Sequence, residues 1–567
     1  MDTAARVVLI WVACIAVGSH AGQVPAQAPS ADSDPVAMAI AAELDASMSP
    51  EGTTIHGARL ALQAPVQEFY SRRAFRPAWS NADNAAQLRR ALADSYDDGL
   101  NPADYHLPLL EELSGQLTEA TATDVLRAQY DVLLTEALLR LAYHLSFGKV
   151  DAETFDAQWN YGRTLARTDV SQEVEQALAA ADIYGRVEAL KPTHYLYVGL
   201  KRELARYRAA ASVDWPPIAA GQSLTAGMSD ARVPLLRARL IASGDLDAAG
   251  ASDSPTYDTA LEAAVRLFQQ RMGLQADGVA GSGTIAELNV PLADRIRQLR
   301  VNLDRGRVLL RDLPEEFVVV NVAGFTAHLI RAGQFVWSGR VQVGRPYRRT
   351  PIFRSQLGYV VFNPTWTVPP GIIEHDILPA AKRDPGSITR KGLKVLDANG
   401  RELDPASIDW SRFHSGHIPY TLRQDPGPSN ALGRVKLMFP NPYFVYLHDT
   451  PSQALFERAA RSFSSGCVRV EHALELTELV LNDQERWNQQ SIAEVLASGE
   501  TRNVTLKKSI PVLLTYWTAW VDPQGQTQFR RDIYGQDDKW AQALEAEFKL
   551  RARPLFSTAA AGVRGTP

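Results

Sequence analysis

The spacing of apolar residues changes once along this chain, and that change limits the folds it can adopt. Over residues 39–290, apolar side chains recur every three or four positions, as in helices that bury one face. From about residue 315 they alternate with polar ones, as in strands that bury one face of a sheet. Because the two patterns occupy separate stretches, the sequence predicts a multidomain α+β protein.

Two helical domains are predicted before the change of spacing. The length of 567 residues is typical of three or four domains at about 150 residues each. The segment "VDWPPIAAGQSL", residues 213–224, is the predicted boundary between the two helical domains. We therefore predict one helical domain over 39–215 and a compact helical unit over 225–290. One helix of this unit is expected to bury three side chains on one face, those of Leu261, Val265 and Phe268.

The strand-forming region is predicted to extend from 315 to 500 with one long insertion. "FVVVNVAGFTAHLIRAGQFVWSGRVQVG" predicts strands joined by a turn at Ala332-Gly333. Residues 369–432 are instead rich in proline and glycine, and we expect them to be irregular and without a regular core. An insertion of this length beside a sheet is usually functional, so we interpret it as a lid.

The N-terminus is predicted to direct export. Residues 1–21 combine Arg6 with the apolar run Val7–Val17 and small residues after it, the pattern of a signal peptide. The run is too short to span a bilayer comfortably. Because Asp2 offsets the charge of Arg6, an uncleaved membrane anchor is the alternative. Residues 22–38, rich in proline, alanine and serine, are predicted to be a disordered linker.

The C-terminal segment is predicted to return to the helical part of the molecule. Residues 501–555 include a hairpin with a Pro-Gln-Gly turn, followed by a helix, and we expect them to complete the first helical domain. Residues 556–567 are predicted to be a disordered tail.

Net charge and residue patterns disfavour three functional classes: nucleic-acid binders, metalloenzymes and lysozyme-like hydrolases. The net charge of −5 argues against a general nucleic-acid binder. His414 and His417 lack a convincing third ligand, so no metal site is predicted. No isolated acidic pair suggests a lysozyme-like hydrolase.

One cysteine remains once the signal peptide, which contains Cys14, is removed. Exported proteins usually pair their cysteines in disulfides, but Cys467 has no partner. It is therefore an intermolecular partner, a free reactive thiol or a buried inert thiol.

The residues around Cys467 are of the types that activate a thiol. His448 ends a predicted strand 19 residues earlier, and a histidine can take the thiol proton. Ser465 and Gly466 leave room for a carbonyl group, which the N–H groups of Gly466 and Cys467 can stabilise as an oxyanion. The predicted helix after the cysteine would favour a negative sulfur. Arg469 is expected either to hold a carboxylate or to steady the loop.

The segment "YLHDTPSQALFERAARSFSSGCVRV" resembles the active-site signature of the L,D-transpeptidases of YkuD type. The resemblance implies that Cys467 is the nucleophile and His448 its acid/base. It also implies that Gly466 and Cys467 supply oxyanion donors, while Arg469 matches the motif arginine. Tyr446 precedes the histidine by two and is expected either to line the pocket or to pack in the core.

The resemblance extends over most of residues 40–540. "FQQRMGLQADGVAGSGTIAELN" is similar to the small peptidoglycan-binding helical domain. "NPTWTVPPGIIEHDILPAAKRDPG" and "RQDPGPSNALGRVKLMFPN" resemble the large branch of the family, which has a helical scaffold domain and a substrate-capping lid inserted in a mainly-β catalytic domain. The resemblance therefore implies a scaffold domain, a peptidoglycan-binding domain and a catalytic domain with a lid.

The implied function is cell-wall cross-linking in the periplasm. A tetrapeptide stem would acylate the cysteine, release D-alanine and pass to a diaminopimelate amine, which gives a 3→3 link. The same site could instead serve an L,D-carboxypeptidase or endopeptidase, or the fold could serve a non-catalytic wall-binding protein. The expected partners are stem peptides and glycan, with no nucleic acid, and with membrane contact only through the signal or anchor. No cofactor is implied, and carbapenems are expected to acylate the thiol.

Overall fold

The computed structural model of this chain describes residues 34–45, 54–157, 159–161, 170–211 and 216–550. The predicted signal peptide at 1–21 and tail at 556–567 lie outside them. Helix α1 (Pro35–Asp45) begins inside the segment 22–38 that was predicted to be a linker. Its Ile40 and Leu44, four residues apart, are fully buried in the helical core, which is why the helix forms there.

The N-terminal part of the described chain is helical, as predicted, with one short hairpin. Its elements after α1 are β1 (Thr54–Ile55), β2 (Ala58–Arg59), α2 (Gln63–Arg72), α3 (Ala82–Asp94), α4 (Leu107–Gln116), α5 (Asp124–Phe147), α6 (Val170–Ala180), α7 (Ile183–Glu188) and α8 (Tyr195–Ala210). Helix α5 is buried on every side from Tyr130 to Phe147, which marks it as the core helix. The Thr123 side chain caps its N-terminus, and Gly148 with φ 74° ends it.

The next helices join the N-terminal part to the sheet. They are α9 (Val233–Ser243), α10 (Thr259–Arg271), α11 (Ser282–Leu288) and α12 (Leu292–Leu309). The predicted face of Leu261, Val265 and Phe268 on α10 is buried, and Asp258 caps this helix through the Leu261 N–H. These helices share one continuous core with the strands that follow.

The remaining elements are mostly strands, which confirms the α+β prediction. The strands are β3 (Glu316–Asn321), β4 (Thr326–Arg331), β5 (Gln334–Gly344), β6 (Arg354–Phe362), β7 (Trp366–Thr367), β8 (Lys394–Leu396), β9 (Glu402–Leu403), β10 (Thr421–Gln424), β11 (Val435–Met438), β12 (Leu447–His448), β13 (Ser462–Ser464), β14 (Val468–Val470), β15 (Arg502–Thr515), β16 (Ala519–Val521) and β17 (Thr527–Phe529). The helices are α13 (Pro370–Ile372), α14 (Leu378–Arg383), α15 (Gly386–Arg390), α16 (Ala473–Leu481), α17 (Gln489–Ser498) and α18 (Asp537–Glu545).

The main sheet has nine strands in the order β13-β5-β14-β12-β11-β6-β15-β3-β4, and a further pairing of β5 with β4 closes it on itself. The predicted turn between β4 and β5 is confirmed at Ala332 and Gly333, whose φ values of 47° and 75° suit a tight hairpin. Strand β15 pairs with both β6 and β3 inside this sheet. The prediction that all of 501–555 completes the helical domain is therefore wrong for 502–515, because that segment pairs with β6 and β3 and its Ile510, Val512 and Leu514 are buried in the core of the sheet.

The insertion folds as a small unit, whereas the sequence predicted an irregular one. It has a four-stranded sheet in the order β7-β10-β8-β9. The side chains of Ala381, Ile388, Val395 and Leu422 are fully buried in a core of its own. Its prolines do not prevent this, because several stand in the first turn of a helix, where proline is tolerated.

Within the described part of the chain, no helix combines the length and the apolar character needed to cross a bilayer.

Candidate active site

Strand register brings four polar side chains into one line across the main sheet. On β12, His448 pairs with Lys436 of β11 on one side and with Arg469 of β14 on the other. Arg469 in turn pairs with Gln342 of β5. Directly paired residues project from the same face of a sheet, so these four side chains form a row, which we call the polar row.

Cys467 stands beside the polar row on the same face. It precedes Arg469 by two residues, as Tyr446 precedes His448, and the Val468 N–H donates to the Tyr446 carbonyl at 3.1 Å. The half-buried thiol lies 3.7 Å from the carbonyl oxygen of Phe444. The structure therefore places the predicted nucleophile immediately before β14 and the predicted acid/base on the neighbouring strand β12.

The loop before Cys467 is held by its own hydrogen bonds. The Ser464 hydroxyl accepts from the Gly466 N–H at 3.1 Å and donates to the Cys467 carbonyl at 2.5 Å. Thr350 donates to the Gly466 carbonyl at 2.8 Å. Gly466 has φ 118°, a conformation that favours glycine.

These bonds change one expectation about the oxyanion donors. The Gly466 N–H is already engaged with the Ser464 hydroxyl, so in this conformation it is not available to an oxyanion. Among the described residues, none accepts a hydrogen bond from the Cys467 N–H, which leaves this group as the backbone donor of the loop.

His448 is buried and neutral. Its Nδ1 lies 2.5 Å from the Asp449 carbonyl oxygen, which can only accept, so Nδ1 carries the proton and Nε2 keeps its lone pair. Burial, followed by the charge of Arg469, lowers the pKa of His448 to about 3. The imidazole is thus an unprotonated base throughout the neutral range.

The thiol is also neutral at rest. Burial raises the pKa of Cys467, although the Tyr446 N–H and side chain oppose the rise by hydrogen bonding to the sulfur. The charges of Arg469 and Lys436 oppose it further. The expected contribution of a helix N-terminus is not supported by the chain order, because β14 follows Cys467 directly and α16 begins only at Ala473.

Tyr446 lines the site. Its ring meets the His448 ring edge-on at 5.6 Å between centroids, and the Lys436 Nζ lies 5.6 Å from its centroid. Burial raises the pKa of Tyr446, and the interaction with Cys467 adds to the rise. The phenol therefore remains a hydrogen-bond donor beside the sulfur.

Ser465 connects the loop to the insertion. Its exposed hydroxyl accepts from Arg348 at 2.9 Å, and the same guanidinium forms an ion pair with Asp376 of the insertion. The predicted lid is thus joined to the residue two positions before the thiol.

Three residues of the site were missed in the sequence, Lys436, Gln342 and Arg348. In "VKLM" the lysine alternates with buried Val435 and Leu437, which shows that it faces away from their core. That alternation could have marked it as a surface residue of β11, but not as a neighbour of His448. Within the described part of the chain, no group of three or more His, Cys, Asp or Glu residues could hold a metal ion.

Three family models match this chain. An "L,D-transpeptidase catalytic domain" matches residues 315–498, a "Putative peptidoglycan binding domain" matches 229–288, and a "Scaffold domain" matches 64–204. The resemblances inferred from the sequence are thereby confirmed at the level of the domains.

The chain is also similar in sequence to a curated protein. A curated "Putative L,D-transpeptidase" from Haemophilus influenzae is 39% identical over 243 residues, which are 42% of this chain and 48% of the relative. This chain thus matches about half the length of that relative.

Solved L,D-transpeptidase structures align more distantly. That from Stackebrandtia nassauensis is 13% identical, with a TM-score of 0.19, over 53% of this chain and 96% of its own. That from Xylanimonas cellulosilytica is 16% identical, with a TM-score of 0.17, over 53% of this chain and 100% of its own.

Proposed function

We propose that this chain, in which an L,D-transpeptidase catalytic domain, a peptidoglycan-binding domain and a scaffold domain are present, is a cysteine-dependent peptidoglycan L,D-transpeptidase. The observation that carries the proposal is the pairing of β12 with β14. It places Cys467 beside His448, whose Nδ1–H is held by the Asp449 carbonyl, so that in this tautomer Nε2 carries the lone pair that can accept a proton.

The first half of the reaction acylates the thiol. As the sulfur attacks the stem-peptide carbonyl, its proton passes to Nε2 of His448 and the carbonyl electrons move to oxygen. The Cys467 N–H is the donor we assign to that oxyanion. When the intermediate collapses, the carbon–nitrogen bond breaks, the leaving D-alanine amine takes the proton from His448, and a thioester remains.

The second half returns the enzyme to its resting state. The side-chain amine of a second diaminopimelate attacks the thioester and gives a proton to His448. The carbon–sulfur bond then breaks, and the sulfur recovers its proton from the imidazolium. The product is a 3→3 cross-link, and the cycle starts and ends with the neutral thiol and imidazole that the shifted pKa values of Cys467 and His448 favour.

The insertion at 369–432 is proposed as the cover of this site. Its contact with the loop runs through Arg348, which bonds both Ser465 and Asp376. A folded unit with a separate core can move as one body about its connections to the sheet. Closure over the thioester would exclude water and leave the acceptor amine as the nucleophile.

The proposal extends to the partners, the location and the inhibitors of the protein. Peptidoglycan stem peptides and glycan are the proposed partners, with 229–288 as the wall-binding region, and the periplasm is the proposed location. Carbapenems are proposed to acylate Cys467, because they present a strained carbonyl to the same nucleophile.

Tetrapeptide muropeptides incubated with the purified protein test the proposal. Mass spectrometry should detect dimers that lack one D-alanine, together with some tripeptide from hydrolysis. Tripeptide alone at every acceptor concentration would assign the protein as a carboxypeptidase. An unchanged substrate, with no adduct on Cys467, would leave the wall-binding alternative.

A further inference from the structure

Two cations of the polar row lie on either side of the histidine. Lys436 and Arg469 pair with His448 from opposite neighbouring strands. Strands are spaced about 4.8 Å apart, so the Cα atoms of the two cations are about 10 Å apart, with the imidazole between them. Both side chains are long enough to reach a common anion in front of the row.

Neither cation has an anionic partner among the described residues. The guanidinium of Arg469 donates to the neutral amide of Gln342 at 3.1 Å, and its Nε is buried without a partner. The ionisable groups that act on Arg469 are the Cys467 thiol and the Arg345 guanidinium, and the Cys467 thiol also acts on Lys436. The buried Arg271 is paired with Asp245, and the partly buried Arg461 and Arg530 donate to backbone carbonyls, whereas the contact of Arg469 is a single side-chain amide.

Unpaired, partly buried cations are costly, and burial lowers the pKa of both side chains. A pair of them at a catalytic site is therefore most simply explained by an anion that arrives with the substrate. A carboxylate suits the pair, because each oxygen can accept a charge-assisted hydrogen bond.

We propose that Lys436 and Arg469 bind the terminal carboxylate of the donor peptide, on the residue that leaves. This inference rests on the proposed acyl transfer at Cys467 and adds the group by which the donor is recognised. The ligand is a peptide with a free C-terminal carboxylate.

The distance along the strand suits the terminal carboxylate of the peptide. Cys467 and Arg469 are two residues apart, about 7 Å along the strand. The terminal carboxylate lies one residue, about 3.8 Å, beyond the carbonyl that the sulfur attacks, so the long cationic side chains can reach it across the remaining gap.

The proposed contact has a consequence for catalysis. The two cations oppose protonation of His448, which must accept the thiol proton during attack. A carboxylate bound between them would offset their charge and stabilise the imidazolium. Only a donor that ends at the leaving residue would supply this charge, which would restrict cleavage to the last residue of the stem.

The test compares two donors that differ in one group. Acylation of the full protein is followed with a tetrapeptide that has a free terminal carboxylate and with the same peptide as a terminal carboxamide. Wild type should favour the acid over the amide by about 10- to 100-fold in kcat/KM, the range of a charge-assisted hydrogen bond.

Three variants assign the preference to the cation pair. Lys436→Met should lower kcat/KM for the acid about tenfold more than that for the amide, so that the preference for the acid is largely lost. Lys436→Arg should restore most of the preference. Lys508→Met, the same change at an exposed lysine of β15, should behave as wild type.

The outcomes separate this inference from the proposed function. An active wild type that processes acid and amide equally would overturn the inference and leave acyl transfer intact. An equal loss for both donors in Lys436→Met would show a structural role and also overturn it. Failure of every donor to acylate Cys467 would instead refute the proposed function.

Discussion

Thr350 offers the sharpest test of how the fold positions the nucleophile. Its buried hydroxyl donates to the Gly466 carbonyl at 2.8 Å and accepts from the Gly344 N–H at 2.9 Å. Thr350→Val keeps the shape of the side chain and removes both bonds. The residue itself does not belong to the polar row, so any loss of activity would come through the loop.

The size of the effect follows from these two bonds. Losing one hydrogen bond costs about 0.5–1.5 kcal/mol, and leaving a buried N–H at Gly344 without a partner costs about 1–3 kcal/mol. The free energy of unfolding should therefore fall by about 2–4 kcal/mol. Because Gly466 adjoins Cys467, a shift of the loop by about 1 Å should also slow acylation about 100-fold.

A matched control exists in α16. The Thr477 hydroxyl is equally buried but donates only to the Ala473 carbonyl within its own helix, at 2.7 Å. Thr477→Val should cost less than about 1 kcal/mol and leave acylation unchanged. Denaturant unfolding measures the first quantity, and mass spectrometry of a carbapenem adduct over time measures the second. Equal stability and equal acylation in the two variants would refute the idea that Thr350 holds the loop.

Three further predictions concern the thiol, the histidine and the insertion. Cys467→Ala should abolish turnover without unfolding the protein, and His448→Ala should lower it about 10²- to 10⁴-fold; normal turnover in either would contradict the mechanism. Because its pKa is lowered from 6.5 to about 3, His448 binds its proton more readily when the chain is unfolded. The free energy of unfolding should therefore decrease as pH falls from about 6.5 towards 3, and less steeply in His448→Gln; identical acid titrations would contradict the neutral, buried imidazole. Arg348→Gln should speed thiol alkylation by up to about fivefold, the limit for one partly exposed ion pair, while Arg412→Gln at an exposed site should not; equal rates would remove the role of Arg348 in closure.

The sequence alone determined the features that depend on neighbouring residues. The three- and four-residue spacing predicted helices such as α10, and alternation predicted the strands joined at Ala332-Gly333. The segment from His448 to Arg469 marked the family, because both functional residue types lie within one short stretch. Periodicity and motif spacing are local properties, so they can be read without knowing how the chain folds back.

Only the tertiary structure decided which distant residues meet. Gln342 lies 127 residues before Arg469, and β15 enters the sheet between strands that are far from it in the chain. Strand register at such separations depends on how the whole core packs, since a slip of one residue turns every side chain to the other face. The same packing brought Lys436 beside His448 and engaged the Gly466 N–H with Ser464, because these contacts arise only when the strands and the loop are in place.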